Sequence, residues 1–246
     1  MAQKYDALKM YYEKDYVLEN GMVIHQPKIK EIMEYGENKF WSLCSLLCSN
    51  TTSMKLWLDE LGKDWNTVSD YEMFLMYYQE LDIDRTNILF GDIDFTEFKM
   101  IEIDEKPILI YMNNPEIQIT EDIYEDMVGY LRMMFNIHPK VEKTKSKITK
   151  DLLLEEERTK ERINKMKEDE NEYSSMLFPL ISSAVNKAGF KYKKDEVGEM
   201  GFFEFMDSIK RLQIISNAEA LNIGMYMGMV DVKQLTKDLN WTRDIY

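Results

Sequence analysis

Residues 142–172 read EKTKSKITKDLLLEEERTKERINKMKEDENE; 19 of these 31 positions are charged, and none is Gly, Pro or aromatic. On either side the chain is rich in Met, Tyr, Phe and Ile. This break in texture predicts a predominantly helical α+β chain in three parts: an N-terminal α+β unit with β-hairpins over 1–140, a charged helical spacer or hinge over 141–172, and a small all-α unit over 173–246. Ile148, Leu152, Ile163 and Met166 mark a stripe, but positions 155–162 hold no apolar residue, so a coiled-coil seam is not expected. A single solvated helix held by i,i+4 pairs such as Glu156–Lys160 fits the composition, with a partly disordered linker as its alternative.

Upstream, Asp15–Gln26 carries Asn20-Gly21 between two β-prone runs, the signature of a hairpin whose type I′ turn needs positive φ at both central residues. Pro27 ends strand pairing, and a short helix over Lys28–Tyr35 closes at Gly36. Helices follow over 38–48 and 53–61. Ser69 and Glu72 form a capping box that opens a helix with Tyr71, Phe74, Leu75 and Tyr78 on one face. Phe98–Ile103 and Ile108–Met112 predict a second hairpin around Asp104–Pro107, and Thr120 caps a helix carrying Ile123, Met127, Leu131 and Met134. Downstream of the charged stretch, Pro179 suits a first helical position and Gly189 a helix end. Phe202, Phe205, Met206, Ile209 and Leu212 form the next face. Ser216 and Glu219 make a second capping box, which predicts a new helix there, fraying near Gly224 or Gly228, before a final helix and a polar tail with Trp241.

With 45% apolar residues the chain can build a core, and its net charge of −14 opposes binding to a phosphate backbone. The apolar run Ile108–Met112 is far shorter than a membrane span, and the opening MAQKYDALKMYYEKD has no signal-peptide core. A soluble cytoplasmic protein that binds neither nucleic acid nor membrane is therefore expected. Cys44 and Cys48, four apart in an apolar segment, read as a buried thiol pair, because a metal site would need ligands beyond the distant His25 and His138. Asp82/Asp84 and Asp92/Asp94 fit no calcium loop: counted from Asp82, position six is Asn87 where Gly is needed, and position twelve is Ile93 where Glu is needed. They read as solvated turn aspartates. There is no phosphate loop, no HExxH and no nucleophile–base–acid order, so no catalytic, cofactor or metal residue is assigned, and a non-enzymatic protein is expected.

Among the 19 methionines, Met225, Met227 and Met229 alternate around Tyr226. Thioether side chains either fill an irregular core or form an adaptable surface for apolar helices. On the second reading Met225, Tyr226, Met227, Met229 and Trp241 are the candidate partner-binding residues.

The run DYVLENGMVIHQPKIKEIMEYGENKF (15–40) resembles a recurring opening in proteins of the tail-morphogenesis modules of phages that infect Gram-positive bacteria. Lys28 stands where that pattern has Thr, and Lys30 where it has Gly. SSMLFPLISSAVNKAGFKYKKDEVGEMGFFEFMDSIKRLQ (174–213) and GMYMGMVDVKQLTKDLNW (224–241) resemble the C-terminal region of the same proteins. The likeness lies in structural residues and covers most of the chain outside the charged stretch. It implies a tail assembly chaperone that binds and solubilises the tape-measure protein in the host cytoplasm, with the tail-tube protein as a further partner. The alternative it leaves is a tail or baseplate component kept in the virion. Oligomeric state is not legible.

Overall fold

In a computed structural model describing residues 5–170, 174–228 and 236–245, short helices alternate with two small antiparallel sheets. The elements are α1 (Ala7–Tyr11), β1 (Tyr16–Val17), β2 (Val23–Ile24), α2 (Ile29–Tyr35), α3 (Glu37–Leu47), α4 (Lys55–Glu60), α5 (Asp70–Tyr77), α6 (Ile83–Phe90), β3 (Phe98–Ile103), β4 (Lys106–Tyr111), β5 (Gln118–Ile119), α7 (Glu121–Phe135), α8 (Lys147–Glu170), α9 (Leu177–Asn186), α10 (Lys194–Gly198), α11 (Phe202–Tyr226) and α12 (Thr236–Leu239). The fold is α+β and mostly helical, as the sequence predicts. Contacts divide it differently from the expected 1–140, 141–172 and 173–246. A smaller unit joins Met1–Lys14, Gln26–Glu31 and Leu177–Tyr246, and a larger one joins Asp15–His25 and Ile32–Met176.

The larger unit is organised by aromatic rings. Phe74 of α5 lies 4.9 Å, centroid to centroid, from Tyr124 of α7, 5.6 Å from Tyr77 and 6.2 Å from Phe95. Phe95 continues the chain of rings to Phe98 at 5.6 Å, and Phe98 to Tyr111 of β4 at 4.9 Å. Edge-to-face and tilted pairs at these separations add to the burial of apolar area. The Tyr71 hydroxyl reaches the carbonyls of Ile119 (2.8 Å) and Pro107 (3.0 Å), pinning α5 to the three-stranded β3–β4–β5 sheet. The capping box at Ser69 and Glu72 forms as expected, but the buried face of α5 is Tyr71, Met73, Phe74 and Tyr77, with Leu75 half-exposed. Asp82, expected as a solvated turn aspartate, caps the helix α6.

Both expected hairpins form, but the type I′ turn expected at Asn20-Gly21 is not the turn found there. In β1–β2 only Gly21 of the Asn-Gly pair has positive φ (+84°); the Gly21 N–H bonds Leu18 O and the Leu18 N–H bonds Met22 O, a type I turn with a glycine bulge. The Asn20 side chain is used instead, accepting from the Met22 N–H and donating to Gln118 O at 2.8 Å. The two-residue left-handed turn falls in β3–β4, where Ile103 pairs with Lys106 and both Asp104 (φ +50°) and Glu105 (φ +62°) are left-handed. Non-glycine residues there are strained by about 1–3 kcal/mol. Glu105→Gly should stabilise the protein by about 1 kcal/mol once glycine's chain entropy is subtracted, seen as a rise in Tm of about 2–4 °C.

The charged stretch is not a free spacer. Its first residues run as an extended strap: Asn50 Nδ2 donates to Lys140 O at 2.9 Å, and the Glu142 and Thr144 N–H groups donate to Thr52 Oγ1 and Asn66 Oδ1. The helix α8 then lies on α4 and the turn after it through buried Leu154 and three ion pairs: Lys55–Glu157 at 2.9 Å and Arg158–Asp59 at 3.0 Å to α4, and Lys150–Asp64 to the turn. Lys150 also stands 5.7 Å over the Trp65 ring. A charged helix can therefore belong to a folded unit when the surface beneath it supplies matching charges.

In the smaller unit, α11 carries the core residues Phe202, Phe203 and Phe205, joined by Met10, Ile29, Leu177, Ala184, Val197 and Met200. Gln26–Glu31 docks along its start, with the Ile29 N–H bonding Met200 O and the Phe202 N–H bonding Pro27 O. Gly201 permits this close packing: a Cβ there would stand 2.7 Å from Glu13 Cγ, and its N–H donates to Glu13 Oε1 at 2.5 Å. The capping box at Ser216 and Glu219 is not realised, since α11 is continuous through both. Ala218 is buried on its inner face and Lys187 donates to Ser216 Oγ, so packing carries the helix across the local stop signal. Pro179 is the third residue of α9, still in the first turn, where its missing N–H costs nothing.

Burial, with the neighbouring Glu13 carboxylate, raises the Glu204 carboxyl above its ordinary 4.5. A raised acid favours the fold while neutral, below its ordinary pKa, and loses that contribution as pH rises through the folded value. Glu204→Gln should therefore stabilise the protein at neutral pH, by at most about 1 kcal/mol because the group is partly solvated, seen as a higher Tm, and the gain should vanish toward about pH 4. Melting curves of both proteins across that range check this.

Candidate functional site

The residues singled out for partner binding converge only in part. Met225, Tyr226 and Met227 occupy the last turn of α11 and its cap; Met225 is half-buried, while Tyr226 and Met227 are 85% and 65% exposed. Ile223, which the sequence reading did not single out, is 56% exposed and lies three and four residues before them, on the same helical face. Gly228, at φ +69°, ends the helix just beyond. Met229 lies outside the described residues. Trp241 is 55% exposed but elsewhere: its carbonyl accepts from Arg211 Nη1 at 3.4 Å, and Arg211 precedes Tyr226 by 15 residues, about 22 Å of helix. The smaller unit thus presents a compact apolar helix end, Ile223–Tyr226–Met227, and a separate tryptophan.

The larger unit holds a polar cleft of about 490 Å³ between the start of α5, the flank of α7 and the strap, lined by Thr51, Asp70, Tyr71, Tyr124, Arg132 and Lys143. Asp70 accepts from the Thr51 N–H at 2.9 Å and from Arg132 Nη2 at 3.3 Å, so its charge is already matched within the fold. The Tyr124 hydroxyl is buried with no protein partner among the described residues. Burial raises its pKa and also pushes the Tyr71 hydroxyl up to about 12. Both groups stay protonated at neutral pH.

Cys44 and Cys48 are buried free thiols, as the apolar flank predicts. Burial raises both, Cys48 to about 12, so neither is a ready nucleophile. His25 Nδ1 sits 3.0 Å from Asp15 Oδ2 at the half-exposed end of the first hairpin, and His138 is exposed. Asp82 and Asp94 are helix caps, accepting from the N–H groups of Arg85 and Thr96. No group of three or more His, Cys, Asp or Glu side chains is placed to hold a metal ion among the described residues. No helix among them is long and apolar enough to cross a membrane.

Residues 166–246 match the family model described as the YomV second domain, a name from an SPbeta-like phage region of Bacillus, which suggests a phage protein. The match spans α9–α12 and leaves out Met1–Lys14 and Gln26–Glu31, which complete the smaller unit. No curated protein and no solved structure matches the chain.

Proposed function

We propose that the chain is a non-enzymatic phage tail assembly chaperone that binds and solubilises the tape-measure protein in the host cytoplasm and releases it as tail-tube subunits assemble. The observation that carries this reading is the exposed Ile223–Tyr226–Met227 face on α11, inside the region matched by a phage family. An exposed, methionine-bearing helix end of this kind suits an amphipathic helical client, the form a tape-measure protein takes before assembly. The net charge of −14 keeps such a complex soluble. The resemblance of both flanks of the charged stretch to tail-morphogenesis proteins narrows the client to the tape measure.

Mass spectrometry of purified virions beside infected-cell extract tests the assignment. A chaperone is abundant in the extract and missing from particles. Abundant peptides of this chain in particles would overturn it and favour a structural tail or baseplate component.

A further inference from the structure

While one face of α8 lies on α4, the opposite face is unpartnered among the described residues. Ile148, Leu152, Ile163 and Met166 are 74%, 60%, 46% and 66% exposed. At 100° per residue they fall within about 60° of one another, so they share one stripe running about 27 Å along the helix. Between the two apolar pairs the stripe passes a shallow groove of about 310 Å³ lined by Leu152, Glu155, Glu156, Thr159 and Lys160. Glu156 and Lys160 flank it on one side, and Glu155 and Arg162 on the other, the latter two ion-paired at 3.3 Å.

These positions are self-complementary when the helix is reversed. A two-fold axis near residue 157 sets Ile148 against Met166 of a second copy and Leu152 against Ile163, so each apolar end meets the other end. An antiparallel two-fold also places each flank against the same flank of its partner, which brings Glu156 onto the second copy's Lys160 and Glu155 onto its Arg162. All four pairings fall within about three residues of one register, within reach of side chains of this length. In a parallel pair each flank would instead meet the opposite flank, which sets Glu156 beside Glu155 of the second copy.

We infer that α8 is a self-association helix, through which two copies of this chain pair antiparallel about a two-fold axis near residue 157. The gap in apolar residues over 155–162, which forbids a continuous hydrophobic seam, is where complementary charge sets register and direction.

The test has two parts, both on the full chain. Sedimentation over a concentration series should show dimer formation in the wild type. Lys160→Glu, which sets acid against acid, should weaken it about tenfold or more, and Glu156→Lys combined with Lys160→Glu should restore it. Separately, the double variant Leu152→Cys plus Ile163→Cys should form a covalent dimer on mild oxidation, while each single variant forms no cross-link; the native thiols are buried. Circular dichroism establishes that the helix persists in each variant. A wild type monomeric at every concentration, a charge swap that fails to restore pairing, or single cysteines that cross-link as well as the pair would each overturn the inference.

Discussion

Replacing Phe74 with alanine will destabilise the larger unit by about 3–5 kcal/mol, the range for removing a fully buried aromatic ring. Phe74 is 0% exposed and stands between α5, α7 and the aromatic turn that leads into β3. Its removal leaves a cavity walled by Tyr77, Phe95 and Tyr124, whose own ring contacts hold them in place. Urea denaturation gives the loss directly. A cost under about 1 kcal/mol would mean that the ring chain does not organise this unit.

The second large effect belongs to Arg132. Its guanidinium donates from Nε to Cys48 O at 3.0 Å and from Nη2 to Ser49 O at 2.6 Å, and pairs with Asp70 at 3.3 Å. One side chain on α7 thus satisfies carbonyls just past the end of α3 and meets the first residue of α5. Arg132→Leu leaves two carbonyls and a half-buried carboxylate without that partner, and is expected to cost about 3 kcal/mol. Arg132→Lys should recover less than half, because an ammonium lacks the planar fork that reaches two carbonyls and a carboxylate together. Equal stability of the lysine variant and the wild type would show that charge alone matters there.

Much of the fold is legible because its signals are local. The capping box at Ser69 works because the chain before it is irregular, leaving Ser69 free for the extended conformation an N-cap needs (φ −79°, ψ 160°). The same four-residue pattern at Ser216 fails because buried Ala218 continues the inner face of α11. Asn20-Gly21 marks its hairpin correctly yet misstates the turn, since Asn20 has a distant partner in Gln118 that no local rule contains. Pairing of Met1–Lys14 and Gln26–Glu31 with the last part of the chain is likewise long-range. It rests on main-chain bonds such as Ile29 to Met200 and on the space that Gly201 leaves for Glu13.

In the charged stretch, composition reports solvation but not what lies beneath. Lys55, only 6% exposed, is an ordinary surface lysine in the sequence until Glu157 is placed over it. As for the candidate site, the methionine cluster leads to the end of α11, and Ile223 follows from its spacing to Tyr226 and Met227. The placement of Trp241 beside Arg211, away from that end, is a long-range contact that spacing does not encode.

Co-expression of the tape-measure protein of the same phage with this chain tests the proposed function most directly, by measuring how much tape-measure protein stays in the soluble lysate and co-purifies. The wild type should raise the soluble fraction severalfold and co-purify, and Tyr226→Asp with Met227→Asp should abolish both effects while leaving the melting curve unchanged. Tape-measure protein that stays insoluble beside abundant, folded wild-type chain would contradict the account.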